Sequence, residues 1–72
     1  MRESQMWITV PLERTKNGKL EIGDYEAIEL HGTEIAARKS IGCGLRDGYK
    51  LMGLFVAEGF YDADLTIKKA AL

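Results

Sequence analysis

The stretch SIGCGLRDGYKLMGLFVAEGF, Ser40 to Phe60, holds the only cysteine, five of the eight glycines and a run of large apolar side chains. Whether it is a ligand loop, a membrane segment or core decides the fold. Arg46, Asp47, Lys50 and Glu58 interrupt it, whereas a bilayer-spanning helix needs about 20 mostly apolar residues. It does not read as a membrane helix. A dinucleotide loop needs Gly-x-Gly-x-x-Gly between a strand and a helix, and GCGLRDG puts Asp47 where the third glycine belongs. No Gly-Lys-Ser/Thr follows, so the phosphate-loop pattern is absent as well.

Core is what remains. Leu45, Tyr49, Met52 and Val56 recur at helical spacing with Leu51 and Phe55 beside them, and this predicts an amphipathic helix over about 47–58. Asp47 at its start and Gly59 at its end suit the caps. Gly53 inside it disfavours a helix by about 1 kcal/mol relative to alanine, so a buried strand over 49–57 is the alternative. Cys43 between two glycines, with Arg46 nearby, has some features of an activated thiol, but His31 is the only histidine and no spacing brings it alongside. A buried, inert cysteine is the expectation, and His31 is expected to end an element before Gly32, not to act as a ligand.

Upstream, QMWITVPLERTKNGKLEIGDYEAIEL carries the strongest local signal, because Asn17-Gly18 is the preferred pair for a two-residue turn between β-formers. A hairpin over about 5–16 and 19–30 follows. A two-residue loop sets Arg14 opposite Glu21, and a one-residue bulge at Gly23 and Asp24 then sets Ile8 against Ile28 and Met6 against Leu30. Pro11 has no N–H to donate and is expected on the edge side of its strand. In this register Trp7 shares a face with Thr9, Pro11 and Tyr25. Next, GTEIAARKSIG has Thr33 as N-cap, acid first, base last and Gly42 beyond the end, which predicts a short helix over about 34–41. The tail over 64–70 reads as a third strand through Leu65 and Ile67, with a short helix as the alternative.

These elements make an α+β fold, an N-terminal antiparallel hairpin on short helices with a C-terminal strand; a small all-β barrel or sheet is the alternative. Residues 1–72 are expected to form one small domain. A chain of this length buries only about 60% of the surface that its unfolded form exposes. One cysteine cannot form an internal disulfide, and one cysteine with one histidine is too few soft ligands for a structural zinc. Self-association is the remaining common source of stability. The polar start at Met1 and Arg2 and the single thiol suggest a cytoplasmic location.

No nucleophile with a base, no acid–base pair of interpretable spacing and no cofactor loop is present, so neither catalysis nor a cofactor or metal is expected. Net charge is −1, yet the residues from Leu20 to Ala37 contain five acids and no lysine or arginine. Two basic groups flank them: Arg14, Lys16 and Lys19 at the hairpin tip, and Arg38, Lys39, Arg46 and Lys50 further on. The expected function is therefore a small, non-enzymatic protein-binding regulator or inhibitor that self-associates, with Trp7, Thr9 and Tyr25 as the contact patch. The alternative is a small nucleic-acid-binding regulator using Arg14, Lys16, Lys19, Arg38 and Lys39.

Overall fold

The computed structural model describes residues 5–69. The order is β1 (Trp7–Arg14), β2 (Leu20–Ile22), a 3-10 turn (Tyr25–Ala27), β3 (Glu29–His31), α1 (Glu34–Arg46), β4 (Leu51–Val56), β5 (Gly59–Tyr61) and β6 (Ile67–Lys69). The α+β class is as the sequence predicts. A four-stranded antiparallel sheet has β1 at its centre: β4 pairs with it in the register Trp7↔Val56 to Leu12↔Leu51, and β2 and β3 pair with its C-terminal and N-terminal halves. The pair β5–β6 forms a separate two-stranded sheet, with Tyr61 opposite Ile67.

The helix expected over 47–58 is instead β4, the alternative that Gly53 had kept open. Periodicity misleads here because both faces of the segment are apolar. Met52, Leu54 and Val56 point to one side of the sheet and Leu51 and Phe55 to the other, and a run apolar on both sides satisfies the helical and the strand template alike. Pairing along β1 settles the choice.

Asn17-Gly18 does turn the chain, but the loop holds three residues. Thr15 N–H donates to Lys19 O, and Gly18 N–H donates to Thr15 O. Gly18 has φ +82°, the left-handed residue of a type I turn plus bulge. Arg14 therefore faces Leu20, and Glu13 faces Glu21. The bulge at Gly23 is also larger than expected. Residues Gly23 to Ile28 lie across from only Val10 and Pro11, so Ile8 faces Leu30 and not Ile28. Pro11 lies in the central strand, not at an edge, and the interruption explains how. Gly23 N–H donates to Pro11 O at 2.9 Å, so the proline's donor-less nitrogen points to the same, broken side of the strand.

The first helix runs past Gly42 to Arg46. Thr33 is its N-cap as predicted, accepting from Ala36 N–H at 3.2 Å. Its buried positions are small, Ala37 and Gly44. A Cβ on Gly44 would lie 2.9 Å from Met52 Sδ, so this glycine lets the helix sit close on β4. That packing carries the helix through two glycines which, by propensity alone, would end it. The expected C-terminal strand exists as β6 through Ile67, but Leu65, expected within it, lies in the turn before it, where its N–H donates to Asp62 O; residue 70 lies outside the described residues, as do Met1 and Arg2.

Candidate functional site

The two faces of the main sheet are built differently. Residues directly opposite one another share a face, so Trp7, Thr9, Pro11, Glu29, His31, Met52, Leu54 and Val56 lie on one side and Ile8, Val10, Leu12, Ile22, Leu30, Leu51 and Phe55 on the other. Helix α1 covers the first. Thr9 is fully buried there, its Oγ1 3.0 Å from His31 Nε2 and 3.3 Å from Ser40 Oγ, while the Ser40 hydroxyl donates to Glu29 Oε1 at 2.6 Å. A carboxylate only accepts, so the direction is fixed: His31 Nε2–H donates to Thr9, Thr9 to Ser40 and Ser40 to Glu29. This chain of hydrogen bonds ties the sheet to the helix. Its central hydroxyl is closed to solvent and can attack nothing from outside.

The second face carries no covering layer among the described residues. Leu20 and Leu30, near its margin, are 53% and 66% exposed, and Phe55 is 48% exposed. Phe55 lies across Gly53, where a Cβ would come within 2.6 Å of its ring. Among the described residues the buried apolar side chains are Val10 on this face, Pro11 on the face beneath α1 and Ala37 on the helix itself. The apolar area that Leu30 and Phe55 leave in water forgoes about 25 cal/mol for every Å² that a cover would bury.

The expected Trp7, Thr9 and Tyr25 patch is corrected accordingly. Thr9 lies beneath α1 because the larger bulge and the helix leave the opposite face open, and Trp7 shares its covered side. Tyr25, 74% exposed, belongs to the 3-10 turn and not to the hairpin face. The surface that sequence reasoning missed was signalled by the alternation Ile8, Val10, Leu12; the sequence did not say which face the helix would take.

Asp24 secures the 3-10 turn. Its carboxylate accepts from Glu26 N–H at 3.0 Å and from the Tyr49 hydroxyl at 2.6 Å, joining the interrupted edge to the α1–β4 connection. The Tyr49 hydrogen bond, helped by Glu26 N–H, holds the Asp24 carboxyl below the usual carboxylate range. The same bond, with some loss of solvent, pushes the Tyr49 phenol up.

Cys43 is exposed on α1, not buried as expected, and Arg46 Nη2 donates to its Sγ at 3.3 Å. His31 is engaged with Thr9 instead. The basic residues stay in two groups on different elements. Arg14 Nη1 donates to Gly18 O within the tip, where Lys16 and Lys19 are exposed. Arg38, Lys39 and Arg46 line a hollow of about 530 Å³ on α1, with Arg38 3.4 Å from Glu34. Among the described residues no three His, Cys, Asp or Glu side chains converge as a metal site would need, and no helix is long and apolar enough to cross a membrane. No protein-family model, curated protein or solved structure matches the chain.

Proposed function

We propose that this chain is a small, non-enzymatic protein-binding module, a regulator or inhibitor that self-associates and works through the open face of its sheet. One observation carries the proposal: among the described residues the face of Ile8, Val10, Leu12, Ile22, Leu30, Leu51 and Phe55 has no second layer, and Leu30 and Phe55 on it are 66% and 48% exposed. A contiguous apolar surface of this kind marks an interaction site. Burial against another protein supplies the stability that so small a core lacks. The single exposed thiol suits a reducing compartment, and the cytoplasm is the location we assign.

Sedimentation of wild type and Leu30→Lys over a wide concentration range tests this. Leu30 is 66% exposed, so lysine there leaves the isolated fold intact. Loss of a central contact of an interface costs about 2 kcal/mol or more, over tenfold in dissociation constant. Equal association of the two proteins, or a wild type that stays monomeric and captures no partner, would sink the proposal.

The second reading, nucleic-acid binding, draws on the hollow that gathers Arg38, Lys39 and Arg46. Phosphate contacts release counterions, so it requires an affinity that falls steeply with salt. Apolar docking does not.

A further inference from the structure

The two edges of the main sheet are guarded to different degrees. On the side of β2 and β3 the strands are three residues each and carry Glu21 and Glu29. Short length and charge are the usual protection against pairing with another chain. The other edge is β4, LMGLFV, with no charge, no proline and no bulge in its register with β1. Among the described residues no strand pairs with its outer side.

One bond fixes where the β4 backbone groups point. Ala57 N–H donates to Met6 O at 2.9 Å, so Ala57 turns its N–H and C=O to β1, and in an antiparallel ladder every second residue does the same. Phe55, Gly53 and Leu51 therefore bond to Ile8, Val10 and Leu12, their partners in the register. Val56, Leu54 and Met52 turn their N–H and C=O groups outward, where no backbone partner meets them among the described residues.

We propose that β4 pairs edge to edge with β4 of a second copy, antiparallel about a two-fold axis at Leu54. The backbone alone sets this register: to engage all the outward groups, Leu54 must face Leu54, and Met52 must face Val56 of the second copy. The side chains then agree with a register they did not choose. Lys50 faces Glu58 of the second copy, an opposite-charge pair that the axis forms twice, and Leu51 to Ala57 between them brings no like charges together. Gly53 faces Phe55 of the second copy, so the residue without a side chain lies beside an aromatic ring. This complementarity names a second copy as the occupant, because only a two-fold sets residues 50 and 58 of the same sequence opposite each other at both ends.

The helices fit the arrangement. The axis stands perpendicular to the sheet, so both helices lie on one side and both open faces on the other. Helix α1 packs on β1 and β4, and with strands about 4.8 Å apart the two helices lie about 10 Å apart, a spacing at which helices pack. Cys43 lines the hollow against Glu26, Ala27 and Glu29. Leu45, two residues on and so on the opposite flank, turns its 47% exposed side chain toward the β4 edge. The edge contact adds to the function proposed above and uses a different surface: with both contacts the assembly is a pair of dimers, and with the edge alone it is a dimer.

Amide hydrogen exchange read by NMR over a range of protein concentrations tests the edge, with sedimentation of the same samples. The expected result is protection of the Met52, Leu54 and Val56 amides that grows as the dimer forms, while the Gly53 and Phe55 amides are protected throughout. Protection of the three at high dilution would mean that the edge is covered within one chain. That result overturns the proposal, as does a dimer that leaves them unprotected or a protein that is monomeric at every concentration. Leu30→Lys separates this contact from the open face. Protection that persists in that variant supports the edge whatever becomes of the face, and protection lost there overturns it. Charge reversal tests the register: Lys50→Glu and Glu58→Lys should each weaken the dimer by about tenfold, and the two together should bring it back to within about twofold of wild type. Glu58 also holds Lys69 at 3.2 Å within its own chain, a bond the double variant does not restore, so recovery reports on the pair between chains. A double variant as weak as the single ones overturns the proposal.

Discussion

The two faces of one sheet have opposite characters. Beneath α1 the contacts are close and specific: a fully buried threonine in a directed hydrogen-bond chain, a glycine against a methionine, an alanine with no exposure. On the other side Ile8, Val10, Leu12, Ile22, Leu30, Leu51 and Phe55 are all apolar and, among the described residues, no second layer lies on them, so Leu30 and Phe55 stay exposed although Val10 is buried. Small residues on α1 permit close approach, and the polar chain from His31 to Glu29 fixes the orientation. The large apolar residues of α1, Ile35 and Leu45, are 70% and 47% exposed. The difference, close packing on one side and uncovered apolar area on the other, is what the proposed function draws on.

Substitutions of similar size should then act differently on the two sides. Gly44→Val inserts atoms where even a Cβ meets Met52 Sδ at 2.9 Å, and overpacking of this kind costs about 1–3 kcal/mol. Thermal unfolding should show the midpoint falling by about 4–8 °C for each kcal/mol lost. A midpoint within a degree of wild type would mean that the helix does not rest closely on β4.

Tyr49→Phe removes the bond to Asp24 and should have a smaller effect that depends on pH. The folded Asp24 pKa lies below its unfolded value, so the contribution is present above the ordinary carboxylate range and lost as pH falls through the folded value. The folded Tyr49 pKa lies above its unfolded value, so the contribution is present below the ordinary phenol range and lost as pH rises through the folded value. Urea titrations should show a constant gap between variant and wild type across neutral pH that narrows at both extremes. A gap independent of pH would place the stabilisation elsewhere.

Leu20→Ser, on the open face, should change the stability of the dilute monomer least, within about 0.5 kcal/mol, because Leu20 is already 53% exposed. At high concentration its midpoint should lag behind wild type, since only the associated form loses a contact. A full effect already present at high dilution would mean that the face is covered within one chain, and the contrast between the two faces would fail.

Local chemistry in the sequence determined much of this protein. The turn at Asn17-Gly18, the N-cap at Thr33, acid first and base last in α1 and the α+β class follow from residues next to one another, whose preferences need no distant partner. The tertiary structure decided the rest. One residue added to the first turn shifts the strand register, and the wider bulge opposite Pro11 shifts it again; side chains alternate along a strand, so each misjudged count misassigns pairs or faces. Helix or strand for Leu51–Val56 was settled only by the free edge of β1, because a segment apolar on both sides fits either period. Which side of the sheet the helix would cover, and hence which side remained open, depended on Gly44 meeting Met52 and Thr9 meeting Ser40, contacts between segments far apart in the chain. Sequence spacing carries no record of such contacts, and so the open face became legible only once the helix had taken the other one.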